Sequence, residues 1–135
     1  MTFQPTVLYV EDDANSRQVM KMMLTMGMKL TTVTFFDDSV DFVDRLLALS
    51  PRPDIVFLDI HVKPITGFEM LTIIREQPSF AGVPVVALTA SVMNEEIHKL
   101  KRSGFDGCIA KPIDIDTFPE HMQRILNGET VWRIA

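Results

Sequence analysis

One cysteine, Cys108, stands in the whole 135-residue chain, so no disulfide framework can form within it, and a reducing compartment suits it. Basic residues are also in deficit. Lys and Arg number 13 against 18 Asp and Glu, a net charge of -5, and phosphate contact along nucleic acid needs a basic face. Direct binding of nucleic acid is therefore not expected. No apolar run approaches the ~18 residues that a membrane span requires. The first residues, Met1-Thr2-Phe3-Gln4-Pro5, offer neither a basic stretch nor a hydrophobic one, so no secretory signal is read and a cytoplasmic location is expected. There is no internal repeat, low-complexity tract or linker. The expected organisation is one domain over 1–135, with a core at about 5–127 and a tail at 128–135.

What is present is a series of short apolar runs. Ile55-Val56-Phe57-Leu58 runs straight into Asp59, with Pro51 and Pro53 before it and Pro64 and Gly67 after it. A run of this length bounded by turn residues reads as a strand buried on both faces. Thr6-Val7-Leu8-Tyr9-Val10 is a second such strand and ends in Glu11-Asp12-Asp13. Leu30 to Phe36, Val83 to Leu88 and Gly107 to Ala110 supply three more, the last two ending in Thr89 and Lys111. Between them lie helical stretches at about Ala14–Met26, Val40–Leu49, Gly67 to before Pro78, Val92–Ser103 and Asp116–Leu126. The first has Val19, Met22, Met23 and Met26 on one face, a stripe that reads as core rather than as a partner surface. The fourth has only a thin apolar line, Met93, Ile97 and Leu100. Five strands alternating with five helices imply an α/β fold, a doubly wound parallel sheet covered on both faces. Trp132, in the tail, is expected to pack on the last helix.

In such sheets the ligand site lies outside the carboxyl ends of the strands. Four strand ends here carry chemistry: Glu11-Asp12, Asp59, Thr89 and Lys111. Taken singly, each is as well explained as a cap, a turn residue or a surface lysine. Together, neighbouring strands would bring three carboxylates into one crevice, and two unit charges ~4 Å apart repel by ~4 kcal/mol at a surface-like dielectric. Such a cluster calls for a cation. Mg²⁺ suits it, because that ion takes one or two carboxylates and keeps several waters. Lys111 and Thr89 are suited to phosphate oxygens, and a carboxylate can accept a phosphoryl group.

These pieces, in this order and spacing, resemble the response regulator receiver domain of two-component signalling. The matching segments are Val7-Leu8-Tyr9-Val10-Glu11-Asp12, Leu58-Asp59 with Gly67 downstream, Leu88-Thr89-Ala90, and Ala110-Lys111-Pro112-Ile113-Asp114. The resemblance covers nearly the whole length. It implies a flavodoxin-like (βα)5 fold with strand order 2-1-3-4-5. It implies that Asp59 is phosphorylated by a sensor histidine kinase or a histidine phosphotransfer protein. Mg²⁺ would be held by Asp12, Asp59, Glu11 and the backbone carbonyl of His61. Asp13 stands in for Asp12 if the first strand is one residue longer. Thr89 would be the switch hydroxyl, Lys111 the phosphate-binding amine, and Lys111–Pro112 a cis bond. The protein would not be an enzyme acting on other substrates. It would signal to a downstream protein through the face of the fourth helix, fifth strand and fifth helix, where two copies could also pair.

Two departures stand out. Lys63 occupies the place of the family's proline four residues after the phosphoacceptor, and Pro64 follows. Cys108 occupies the place of the switch aromatic three residues before the lysine. Two other functions on related folds compete with this one. A flavin carrier needs a small polar phosphate loop after the first strand, where this chain has Glu11-Asp12-Asp13. A Mg²⁺-dependent aspartyl phosphatase needs a second acid two residues after the nucleophile, where this chain has His61.

Overall fold

The computed structural model describes residues 4–91 and 93–132. Five runs rich in β-branched and aromatic residues form the expected strands: β1 (Val7–Val10), β2 (Val33–Phe36), β3 (Ile55–Asp59), β4 (Val85–Thr89) and β5 (Gly107–Ala110). A sixth, β6 (Val131–Trp132), follows. All pair in parallel, in the order β2-β1-β3-β4-β5-β6. The expected order thus holds for the first five strands, and the tail adds one more. Return of the chain to the sheet at β6 is not visible in the apolar pattern, because two residues are too short a run to register.

Alternation along each strand separates two cores. Leu8, Val10, Val56, Leu58, Val85, Ala87 and Cys108 face α2 (Phe42–Leu47), α3 (Gly67–Glu76) and α4 (Asn94–Ser103). Val7, Tyr9, Ile55, Phe57, Val86, Leu88 and Ile109 face α1 (Ala14–Lys21) and α5 (Phe118–Leu126). β1, β3, β4 and β5 are buried throughout, as continuous apolar runs in a doubly covered sheet must be, whereas β2 at the edge is half-buried over Val33–Phe35.

The first helix departs from the reading. Met20, Met23 and Leu24 are buried, whereas Val19, Met22 and Met26 are exposed, Met26 at 72%. From Met22 to Gly27 the helix widens into a π-turn segment, with the Met28 N–H donating to the Met23 carbonyl at 2.9 Å. The apolar residues of 19–26 spread over more than half of the helix surface, leaving only the strip of Lys21 and Thr25 polar, so more than one stripe fits the spacing. Met93 lies outside the core too, at 67% exposed, which leaves Ile97 and Leu100 as the buried anchors of α4. Trp132 does not pack on α5. It lies on the opposite face of the sheet, beside Cys108 in register, while Val131 points to the α5 side.

Candidate functional site

Register builds the site. Val10 is level with Leu58 across the β1–β3 ladder, so Glu11 and Asp59 leave their strands side by side. Asp59 is level with Leu88 on β4, and Thr89 with Ala110 on β5. The carboxyl ends of four strands therefore meet along one line.

Carboxylate oxygens of Glu11, Asp12 and Asp59 all lie within 4.8 Å of one another. Glu11 and Asp59 are buried, and Asp12 is exposed. The Lys111 ammonium forms an ion pair with Glu11 and sits 3.7 Å from Asp59 Oδ2. The backbone N–H of His61 donates to Asp59 Oδ1 at 3.2 Å. Thr89 is buried, and its hydroxyl oxygen accepts from the Ser91 N–H at 3.0 Å. The Lys111 N–H donates to the Thr89 carbonyl at 2.9 Å, which ties the two strand ends together, and Lys111–Pro112 is cis.

Asp13 does not join this cluster. Its Oδ2 accepts from the Ser16 N–H at 2.8 Å and from the Ser16 hydroxyl at 2.7 Å, capping α1. These bonds hold its carboxyl below the usual range. Of the two acids, Asp12 is the one that lies in the carboxylate cluster.

Two residues that the sequence reading passed over hold the cluster in place. The Tyr9 hydroxyl donates to Glu11 Oε1 at 2.7 Å in the interior, and Arg17 Nη1 donates to the Glu11 carbonyl at 2.8 Å. Tyr9 carried a usable signal. It is the sole tyrosine, set in an otherwise apolar buried strand, and a buried phenol finds a partner for its O–H. Burial, and then the bond to Glu11, push the Tyr9 phenol far up, so it remains a donor. Burial pushes the Glu11 carboxyl up as well, aided by the neighbouring Asp59, while Lys111 and Tyr9 oppose the rise.

The loop beyond β3 is shaped by close approach. A Cβ on Gly67 would lie 2.7 Å from the Ile60 Cα, so the first turn of α3 can sit against the end of β3 only with glycine there. Thr66 and Glu69 form a reciprocal capping box at that helix start. Ser39 clasps the loop from the neighbouring side, its hydroxyl donating to the Ile65 carbonyl at 2.7 Å and accepting from the Ile65 N–H at 2.8 Å. Lys63 and Pro64 are absorbed in this loop without breaking the run from Asp59 to Gly67.

The donor set fits a hard divalent cation: three carboxylates, one of them open to solvent. No helix among the described residues is long and apolar enough to cross a membrane.

Comparison with known proteins agrees with the architecture. The family model of the response regulator receiver domain matches residues 7–123. The chain is 32% identical over 114 residues to an uncharacterized 76.5 kDa protein of Thiocystis violacea, covering 83% of this chain and 16% of that protein. It is 29% identical over 80 residues to the polar-differentiation response regulator DivK of Brucella anthropi, covering 59% of this chain and 65% of DivK. Among solved structures, the receiver domain of the sensor histidine kinase PA1611 of Pseudomonas aeruginosa PAO1, described with a magnesium ion coordinated in its active site cleft, superposes with a TM-score of 0.75. It is 25% identical and covers 93% of this chain and 97% of that one. With its flavodoxin-like sheet and its acidic crevice, the chain belongs to the response regulator receiver domain family of two-component signalling.

Proposed function

We propose that Asp59 accepts a phosphoryl group from a histidine kinase or a histidine phosphotransfer protein, and that the change at Asp59 alters the surface a downstream protein reads. The observation that carries this reading is the convergence of Glu11, Asp12 and Asp59 within 4.8 Å beside the Lys111 ammonium.

Glu11, Asp12, Asp59 and the His61 carbonyl would hold Mg²⁺. That ion, when bound, neutralises charge on the transferring phosphoryl oxygens. The chain's own groups do the rest. An Asp59 carboxylate oxygen forms the new bond to phosphorus as the donor's bond to phosphorus breaks. The His61 N–H, donating to the other oxygen of Asp59, orients the nucleophile. Lys111, already between Glu11 and Asp59, is placed to meet a phosphoryl oxygen, and the Thr89 hydroxyl can exchange its bond from Ser91 for one to the phosphoryl group. The description of magnesium in the PA1611 receiver supports the same ion here.

The donor would approach along the groove lined by Tyr9, Asn15, Val19, Lys111, Pro112 and Ile113, which shares Lys111 with the site. The exposed Val19, Met22 and Met26 lie on the same helix and its π-turn extension, and give a donor an apolar landing surface. On the output side, β6 occupies the free edge of β5. A partner using the α4–β5–α5 face would therefore meet β6 as well.

The test is labelling by acetyl phosphate with and without Mg²⁺. The wild type should take up one phosphoryl group per chain in Mg²⁺ and almost none in chelator, and Asp59→Asn should take up none in either. Equal labelling of Asp59→Asn, or full labelling in chelator, would overturn the assignment.

A further inference from the structure

Cys108 is fully buried at the position where the family places its switch aromatic, and its small side chain leaves the α4 side of β5 without a ring. The ring on that side comes from the next strand. Cys108 and Trp132 are register partners in the β5–β6 ladder, so their side chains project from the same face. Trp132 packs, partly buried, against the core that contains Cys108, Ala87, Ile97 and Leu100. The Lys101 ammonium of α4 stands 5.2 Å from the centre of the indole. On its other flank α4 places Lys99 4.5 Å from the ring centre of Phe68 on α3. The helix is thus held by one cation–π contact on each side and by only two buried apolar residues, Ile97 and Leu100, beneath.

The seat of β6 is built into β5. A Cβ at Gly107 would lie 2.7 Å from the Val131 carbonyl oxygen. The strand that carries Trp132 can close on β5 only because that position is glycine.

We propose that Trp132 is the positioning residue that couples the phosphorylation site to α4, in place of an aromatic on β5. This inference rests on the phosphoacceptor reading of Asp59. When the Thr89 hydroxyl turns toward a phosphoryl group it releases the Ser91 N–H, and the segment leading into α4 is free to follow. Movement of α4 across the sheet then carries Lys101 relative to the indole, and the indole holds the far end of the helix in one of two seats.

Trp132 is the chain's only tryptophan, so its indole N–H gives one resonance. The full chain is titrated with beryllofluoride in Mg²⁺ and followed by amide and indole resonances. In the wild type, Thr89, Leu100, Lys101 and the indole should all shift. Trp132→Ala should keep the Thr89 shift and lose at least half of the Leu100 and Lys101 shifts, with Trp132→Phe restoring them. Lys101→Gln, at an exposed position that does not threaten folding, should lose the indole shift while Thr89 still responds. An indole that stays still in the wild type while Thr89 moves, or full Leu100 and Lys101 shifts in Trp132→Ala, overturns the coupling and leaves the phosphoacceptor reading intact. If Thr89 itself does not respond and acetyl phosphate does not label Asp59, the phosphoacceptor reading fails and the coupling with it.

Discussion

Replacing Asp59 by asparagine should stabilise the metal-free protein. Its carboxylate lies within 4.8 Å of those of Glu11 and Asp12, and each pair at that spacing repels by ~3.5 kcal/mol at a surface-like dielectric. Lys111, 3.7 Å away, returns ~4.5 kcal/mol of attraction on the same scale. Two repulsions against one attraction leave Asp59 opposed by ~2.5 kcal/mol. Asparagine keeps the volume and an oxygen that can accept from the His61 N–H, so little packing is lost. For a domain of this size the gain corresponds to ~5–10 °C in Tm. Calorimetry in chelator at pH 8 should show that rise. Adding Mg²⁺ should close the gap, because a ligand at a hundredfold excess over its Kd stabilises the native wild type by ~2.7 kcal/mol, and the variant has lost a ligand. The advantage should also shrink on acidification. Burial raises the Glu11 carboxyl above its unfolded value, so the folded chain takes up that proton first as pH falls, and one of the repelling charges disappears. A variant no more stable than wild type in chelator, or a gap indifferent to Mg²⁺, would refute the electrostatic account of the crevice.

Two further outcomes follow from the interior. Tyr9→Phe removes one donor from the buried Glu11 carboxylate; with Lys111 and the Asp13 N–H remaining, the loss should be ~1.5 kcal/mol in urea unfolding, at the low end for a bond to a charged group, and ~10-fold in Mg²⁺ affinity. No change in either would make the phenol a bystander. Burial pushes the Cys108 thiol up to about 11, which cuts its thiolate fraction ~100-fold below that of an ordinary cysteine, and iodoacetamide should therefore label the native protein at least that much more slowly than the urea-unfolded chain. Comparable rates would place the thiol at the surface.

The central strands were legible because continuous β-branched runs have one explanation in a doubly covered sheet, and the reactive residues were legible because they stand where those runs stop. Val10 and Leu58 close their runs in the same register, so Glu11 and Asp59 were bound to meet once the strands paired. The phase of the first helix was not legible, since Val19, Met20, Met22, Met23, Leu24 and Met26 spread over more than half of the helix surface, and the polar strip of Arg17, Gln18, Lys21 and Thr25 is compatible with more than one buried stripe. The Tyr9–Glu11 bond was hidden by spacing: the two residues are separated by one position on a single strand, and a cross-strand search would not pair them. Trp132 was placed on the wrong face because its side is set by pairing with Cys108, and pairing of a two-residue strand leaves no trace in the sequence.

That short strand also bears on how the protein behaves in concentrated solution. An exposed strand edge is a template for other chains, and a long flat one invites aggregation. Along Gly107 and Cys108, β5 is shielded by Val131 and Trp132 of β6. Loss of those last residues would bare the apolar Gly107–Ala110 edge, so a chain shortened before Val131 should remain foldable yet lose colloidal stability.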